Sequence, residues 1–488
     1  MTLENLLDGI SYQTNLPPGT QIESLTTDSR EAGEGSLFCC VEGIKSDGHD
    51  YAAAACEMGA VALCQWDMGL DRQILVDSTR EAFTQICENF FGNPLRELKL
   101  IGITGTNGKT STTFLIKQTL EGCGVKVGLI GTIHNMIGGE VIETHLTTPD
   151  TVELHGLFAK MRDAGCAACV MEVSSHAIEQ GRVAGLRFEV GCFTNLSQDH
   201  LDYHGTMAAY FSAKERLFLQ CRKAVINTDD DWGRRLHIPE NVIRYDFGIG
   251  RVGVDNDDYF AAADPVFRPD GVDFDLIYGG GKSHVHAATP GRFSVYNALA
   301  AAGCVLALGG FGLRAVTNAL SQAAGIKGRA EVYPTGRDFT VIIDYAHTPG
   351  GIENILSAMR DIMDPDSGKL TCLVGCGGDR DHKKRPLMGA AAASLSDFVI
   401  VTSDNPRSEN PAEIIKQILP GVEKHDTPYI VIENRREAIE YAVTHAEKGD
   451  VIVLAGKGHE TYQILNTGTI HFDEREVLDE VFERMGTN

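Results

Sequence analysis

The amino-acid sequence predicts an α/β protein of three domains: a small α/β domain, a central P-loop domain on a mostly parallel sheet, and a C-terminal doubly wound, Rossmann-like domain. Three observations lead there. At 488 residues the chain exceeds one ordinary core, since domains run to roughly 150 residues. Residues 104–111 read Thr-Gly-Thr-Asn-Gly-Lys-Thr-Ser, set between the apolar run 99–103 and the helix-like stretch 110–121. Apolar runs of strand length then alternate with helical stretches through 97–328 and again through 329–488, the pattern of strand, crossover helix and parallel strand.

Taken in order, residues 1–96 carry short apolar runs at 36–41, 60–64 and 73–76, broken by Gly and Asp, and no phosphate loop. Asn93-Pro94 is a turn signal that closes this block. The second block, 97–328, opens with a strand at 99–104 and a helix at 110–121, followed by strand 126–130, a helix near 151–164 and strand 167–173. In its first helix Leu115, Ile116, Thr119 and Leu120 share a face that can pack on the sheet, and Gly122 and Gly124 are placed to end it. The third block, 329–488, reads as strand 340–345, helix 351–363, strands 370–375 and 398–402, helix 411–419, strand 429–432, helix 435–446 and strand 451–455. In such a unit ligands gather beyond the carboxyl ends of the strands, where Asp344-Tyr345-Ala346-His347, Gly375-Cys376-Gly377-Gly378 and Asp404-Asn405-Pro406-Arg407 fall.

Composition narrows the function. The formal charge of −24 repels a polyanion, so nucleic-acid binding is not expected, and a nucleotide must be met by concentrated local cations. Thirteen scattered cysteines fit buried reduced thiols better than a disulfide framework. Cys166 and Cys169 form one C-x-x-C without a second pair, so core packing is expected there rather than zinc. Residues 1–14 lack the pattern of a signal peptide, and no run approaches the roughly 18 apolar residues of a membrane span. The expectation is a cytoplasmic monomer.

The segment 104–111 has the grammar of a phosphate cradle. Gly105 and Gly108 let backbone N–H groups turn inward together with those of Thr106 and Asn107, the following helix N-terminus favours negative charge, and Lys109 can reach terminal phosphate oxygens. Thr110 or Ser111 can hold magnesium. The strict pattern G-x-x-x-x-G-K-[ST] would need Gly where this chain has Ile103, so the flanking strand and helix supply the evidence. At the end of a following strand stands Glu172-Val173-Ser174-Ser175-His176, with Gln180 and Arg182 behind it, a carboxylate and hydroxyls suited to magnesium. Asp199-His200-Leu201-Asp202-Tyr203-His204 follows. Beside a phosphate loop its carboxylates favour the harder magnesium ion over zinc. Lys214, on the next helix, reads from local sequence as a surface lysine.

Taken together, Thr104 to Ser111, Glu172 to His176 with Gln180 and Arg182, Asp199-His200 with Ala213-Lys214, Asn297 in Tyr-Asn-Ala-Leu, Gly328-Arg329 and Asp344-Tyr345-Ala346-His347-Thr348-Pro349 occur in the order found in Mur ligases. Asp28-Ser29-Arg30, Gly35-Ser36-Leu37-Phe38 and Asp47-Gly48-His49 resemble the branch of that family that adds the third amino acid of the peptidoglycan stem. The resemblance spans essentially the whole chain.

It implies ATP and Mg2+ as cofactors and an acyl phosphate on the way to an amide. It gives Lys109, Glu172, His200 and Lys214 catalytic roles, with Thr110, Glu172, His200 and Lys214 at the metal and Lys214 carbamylated. Asn297, Arg329 and Asp344 would join Gly105 to Ser111 in holding ATP. Ser29, Thr147, Thr148, Ser174, Gln180 and Arg182 would hold UDP-N-acetylmuramoyl-L-alanyl-D-glutamate. Asp404-Asn405-Pro406-Arg407 resembles the signature of members that add meso-2,6-diaminopimelate. Arg380 and Arg407 would clamp its carboxylates, Asn405 would orient it, and Glu460, near Gly456, would hold the distal ammonium. Leu146 stands where related enzymes often carry Asn, and Gln198 where many carry Arg. Within the same chemistry the alternative is a folylpolyglutamate synthase-like ligase, and outside it a P-loop nucleotide switch without ligation.

Overall fold

The run 99–104 is apolar at nearly every position because its strand is covered on both faces. Lys99–Thr104 lies in the interior of an eleven-stranded sheet, with every residue after Lys99 buried. The computed structural model describes residues 1–43, 46–144, 146–250, 258–268, 270–363 and 368–486. Across this sheet Val127–Ile130, Ala168–Glu172, Lys99–Thr104, Phe188–Phe193, Cys221–Asn227, Ile243–Ile249 and Tyr259–Arg268 are parallel neighbours in that order. Helices cover both faces. Ile116 and Leu120 of helix Lys109–Gly122 and Leu299 of Arg292–Leu308 pack on Ile101 and Ile103, while Leu154 and Phe158 of Thr151–Asp163 pack with Leu100 on the other side.

Two details depart from the periodicity reading. Leu115 is only partly buried, although Ile116, Thr119 and Leu120 are fully so. The sheet also continues at both edges in antiparallel strands that the search for apolar runs does not find: Asn135–Ile137 and Glu140–Ile142 at one edge, Gly271–Tyr278 and Gly281–Ala287 at the other. In Gly271–Tyr278, Val272, Phe274 and Leu276 are buried while Asp273 and Asp275 are half-exposed. Such a strand has one wet face and reads as alternation rather than as a run.

The N-terminal residues form a separate five-stranded sheet in the order Gln13–Thr14, Gln73–Leu75, Val61–Cys64, Ser36–Cys39 and Ser24–Thr26, parallel except for the first pair. It has its own core, including Leu37, Leu63, Ile74 and Phe83. It rests on the central unit through Thr84 Oγ1, which donates to Ala184 O at 2.6 Å, and Arg162 Nη1, which donates to Gly92 O at 2.8 Å.

The third sheet runs Glu331–Tyr333, Thr340–Asp344, Val451–Ala455, Leu370–Val374, Phe398–Val401 and Tyr429–Val431, antiparallel only at its first pair, with an apolar cluster on each face. Helices Lys384–Leu395 and Glu474–Gly486 are absent from the periodicity reading. Pro386 and Gly389 disguise the first. The proline sits in the opening turn, where its missing N–H costs nothing, and a Cβ at Gly389 would lie 2.4 Å from Ile418 O of the neighbouring helix Pro411–Val422. Among the described residues no helix is long and apolar enough to cross a membrane.

Candidate active site

The carboxyl ends of the central strands and those of the C-terminal sheet open onto one cleft of about 880 Å³. At its floor the phosphate loop is shaped by close approach. A Cβ on Gly105, at φ +150°, would lie 1.9 Å from Thr194 Oγ1, and one on Gly108, at φ +83°, would lie 2.5 Å from Asn297 Oδ1. Lys109 Nζ donates to Gly105 O at 3.0 Å and Thr106 O at 2.9 Å, so its ammonium is curled over the loop. Residues outside the motif brace it. Asn107 N donates to Asn195 Oδ1 at 2.9 Å, and Ser197 N donates to Thr106 Oγ1 at 3.0 Å. Asn195 and Ser197 stand in the sequence just before Asp199-His200, but their bracing of the loop shows only in the fold, which brings the segment after Phe188–Phe193 against it.

Beside the loop lies Glu172, which is 1% exposed. Its carboxylate accepts from Thr110 Oγ1 at 3.0 Å and from Thr132 N at 2.8 Å. Among the described residues no basic side chain forms an ion pair with it. Asp199 and His200 face the same region. Burial opposes ionisation of Asp199, but His200, Lys384 and His347 outweigh it and hold its carboxyl at about 2. Burial depresses the His200 imidazole to about 3, with Asp199 opposing, so the ring is neutral near pH 7. His200 adopts φ +53°, a left-handed conformation uncommon outside glycine and found at functional positions.

The surface reading of Lys214 from local sequence is corrected. It is 1% exposed, its Nζ donates to Gly105 O at 2.8 Å, and it lies 4.6 Å from the Tyr210 ring centroid. Burial, reinforced by Lys109 and opposed by Asp199, pushes its ammonium well below the ordinary lysine range. Three turns of sequence cannot disclose this, because the burying surface comes from the phosphate loop more than a hundred residues away.

A magnesium ion fits the oxygen donors here, the Thr110 hydroxyl and a buried Glu172 carboxylate that has no basic ion-pair partner among the described residues.

Next to it runs a polar strip. Thr148 Oγ1 donates to Glu172 O at 2.9 Å, Arg182 Nη1 donates to Thr148 O at 2.8 Å, and the Thr147 and Thr132 hydroxyls lie 3.1 Å apart. Ser174, Gln180 and Leu146 also line the cleft. Ser29 does not. It belongs to the N-terminal unit, in the short 3-10 turn Ser29–Glu31 capped by Asp28. Gln198 and Pro406 likewise are not among the lining residues.

The opposite wall belongs to the C-terminal unit. Arg329 Nη2 donates across to Thr110 Oγ1 at 3.0 Å, its guanidinium sits 4.7 Å from the Tyr345 ring centroid, and its Nε is buried without a partner among the described residues. Asp344 accepts from Ala330 N at 2.6 Å and Ala346 N at 2.7 Å, and burial raises its carboxyl against the pull of Arg329. Lys384, which the motifs did not single out, lies 3.6 Å from Asp199 and joins the two units by an ion pair. Further along, Arg407 at φ +53° donates from Nη1 to Gly378 O at 2.9 Å, and Arg380 is exposed at the rim beside it. Asn405 Nδ2 donates to Glu460 Oε2 at 2.8 Å. A Cβ at Gly456, φ +118°, would lie 2.5 Å from Asp404 Oδ2, so glycine is needed for that approach. Cys166 and Cys169, by contrast, are buried free thiols in the core.

The cleft therefore joins a glycine-shaped loop, a polar strip and a pocket lined by the guanidinium groups of Arg380 and Arg407 and the carboxylates of Asp404 and Glu460. Comparison with known proteins agrees with this layout. The Mur ligase middle domain matches residues 103–305, the Mur ligase glutamate ligase domain 328–458, and the Mur ligase family catalytic domain 21–90. The chain is 44% identical over 492 residues to UDP-N-acetylmuramoyl-L-alanyl-D-glutamate--2,6-diaminopimelate ligase 1 of Clostridium acetobutylicum, covering 99% of this chain and 100% of that one. It is 46% identical over 489 residues to the similarly named ligase of Caldanaerobacter subterraneus, covering 99% of each. A solved structure of such a ligase superposes with a TM-score of 0.70 at 29% identity, covering 100% of this chain and 99% of the other. Mycobacterium tuberculosis folylpolyglutamate synthase complexed with ADP shares the fold at a TM-score of 0.63 and 21% identity, over 78% of this chain and 91% of its own.

Proposed function

The chain belongs to the Mur ligase family, and from that premise we propose that it joins meso-2,6-diaminopimelate to UDP-N-acetylmuramoyl-L-alanyl-D-glutamate at the expense of ATP, a step of peptidoglycan synthesis. The observation that carries the reading is the continuity of one cleft from Lys109 through Glu172 to Asn405, Arg407 and Glu460. A carboxylate is a poor electrophile at neutral pH. Transfer of the γ-phosphoryl group makes it an acyl phosphate, and the amine then attacks that carbonyl and expels phosphate.

In this scheme the loop from Gly105 to Ser111 cradles the phosphates, and Lys109 swings from the loop carbonyls to the charge that develops on the transferred group. Asn297 addresses the base, while Arg329 and Asp344 hold the nucleotide from the C-terminal side. Magnesium, held by Thr110, Glu172, His200 and a carbamylated Lys214, would neutralise phosphate oxygens. The strip of Thr147, Thr148, Ser174, Gln180 and Arg182 presents the acyl end of the nucleotide-sugar dipeptide, with Ser29 toward its uridine diphosphate. Arg380, Asp404, Asn405, Arg407, Gly456 and Glu460 receive the amino acid. The contacts from Lys384 to Asp199 and from Arg329 to Thr110 support closure of the C-terminal unit over the loop, which shields an acyl phosphate from water. The cleft is lined by residues of one chain, which supports action as a monomer, and nucleotide-linked substrates support a cytoplasmic setting.

Arg407→Ala should raise KM for diaminopimelate roughly 10²-fold while leaving KM for ATP nearly unchanged, since a guanidinium that pairs with a carboxylate contributes about 2–3 kcal/mol. Initial rates against each substrate check this, and equal effects on both would mark a folding defect. The reading as a whole is tested by incubating the protein with ATP, magnesium, UDP-N-acetylmuramoyl-L-alanyl-D-glutamate and meso-diaminopimelate and weighing the product. A UDP-linked tripeptide is expected. Phosphate release that depends instead on folate and glutamate, or that proceeds with no acceptor, would overturn it.

A further inference from the structure

Beneath the amino-acid pocket lies a charged side chain that no substrate can touch. Lys457 is 0% exposed, and all three of its ammonium hydrogens are used internally: Nζ donates to Asn405 Oδ1 at 2.9 Å, to Tyr462 O at 2.8 Å and to Glu460 Oε2 at 3.1 Å. It also lies 3.6 Å from Asp404 Oδ1. Burying an ammonium is costly unless it is fully paired, so a group with every donor occupied and none toward the cleft is there for what it does to its partners.

What it does follows from donor and acceptor arithmetic. An ammonium only donates, so the atom of Asn405 facing it must be the carbonyl oxygen, which also accepts from Ile464 N at 3.0 Å. The amide nitrogen is thereby turned to Glu460 Oε2 and spends one N–H there. Among the described residues no acceptor takes its second N–H, which is left for a ligand. Glu460 has Oε2 engaged twice, and among the described residues no donor reaches its Oε1. The pocket thus offers one amide donor for a carboxylate beside one carboxylate oxygen for an ammonium, the complement of an amino-acid head group.

Charge leads to the same place. Asp404 and Glu460 are neighbouring carboxylates, and without a cation between them they would repel each other and an incoming carboxylate alike. Burial and Asp404 push the Glu460 carboxyl upward, while Lys457 and Asn405 oppose that and favour its ionised form.

We infer that Lys457 is a specificity-determining positioning residue: by locking the amide of Asn405 and pairing with Glu460, it sets the pocket to take the distal zwitterionic end of a diamino dicarboxylic acid in preference to a bare alkylammonium. The inference rests on the ligase reading above and deepens it. An amino acid ending in an ammonium alone can use Glu460 but leaves the amide N–H unpaired, and an unpaired polar group in a site built for it is what produces discrimination.

The test is competition between meso-diaminopimelate and L-lysine in the purified full chain, with the UDP-linked products quantified by mass. Lys457→Met keeps the length and removes the charge. It should raise KM for diaminopimelate by about tenfold or more, move KM for ATP by less than about threefold, and reduce the preference for diaminopimelate over lysine by about tenfold. Equal losses toward ATP, diaminopimelate and lysine would show a merely structural lysine and overturn the inference. Should that variant fail to fold, Lys457→Gln decides. It is neutral but can still donate to Asn405 Oδ1, so wild-type preference in a variant with unchanged melting overturns the inference, and a reduced preference with KM for ATP unchanged supports it. Wild-type protein that forms no tripeptide with either amine would instead defeat the ligase reading, an outcome distinct from all of these.

Discussion

Lys214→Ala should lose formation of the UDP-linked tripeptide by roughly 10³-fold, and Lys214→Arg should lose it just as fully although the positive charge is kept. The expectation starts from burial. At 1% exposure, with the Lys109 charge nearby, the amine is held below its ordinary pKa and is available as the neutral nucleophile that adds to carbon dioxide. The resulting carbamate is an anion. It would reverse the electrostatics of a position where buried Lys214 and half-buried Lys109 both donate to the Gly105 carbonyl, and it would add an anionic oxygen to the proposed metal site. Arginine cannot make that conversion, so its failure separates loss of an anionic ligand from loss of a cation. Intact mass in bicarbonate buffer should find the wild type heavier by one carbon dioxide and both variants unmodified. A fully active Lys214→Arg would sink the carbamate. Melting temperatures close to wild type are needed to exclude collapse of the loop, because Lys214 also donates to Gly105 O.

Removal of the charge at Lys109 should be nearly as severe. Lys109→Met is expected to lower kcat by roughly 10²–10³-fold, the cost of one electrostatic group aimed at charge that develops in the transition state. Among the described residues the ammonium donates to the carbonyls of Gly105 and Thr106 and forms no ion pair, so removing its charge breaks none there. Rapid-quench measurement of acyl-phosphate formation in the absence of diaminopimelate would locate the defect in phosphoryl transfer. An unchanged rate of that step would remove Lys109 from the chemistry.

The two residues differ in how far their surroundings can be read in advance. Lys109 announces itself, because two glycines and a helix start within four residues already define a loop around phosphate. Lys214 does not: its neighbours in sequence describe an ordinary helix, Met207–Glu215, with a lysine in its last turn. The same division runs through the fold. Strands covered on both faces, such as Val451–Ala455, stand out as apolar runs, whereas Gly271–Tyr278 alternates and helix Lys384–Leu395 hides behind Pro386 and Gly389. Lys384 and Lys457 escaped notice for a related reason. Each is a lysine among polar neighbours, and its importance arises from Asp199 in one case and from Asn405 and Glu460 in the other, partners 185 and 52 residues distant or as near as three.

Local pattern was enough to establish the α/β class, the phosphate loop and the order of motifs that marks a ligase, because backbone periodicity, glycine placement and short loops act over a few residues. Burial, by contrast, is a property of the assembled chain. Which lysine loses its proton, which carboxylate is left without a cation, and which side of an amide faces the substrate all depend on surfaces that meet from distant segments, and electrostatic energies change severalfold when water is excluded. Those choices, made only when the three sheets pack, turn a nucleotide-binding sequence into a site that can select its amine.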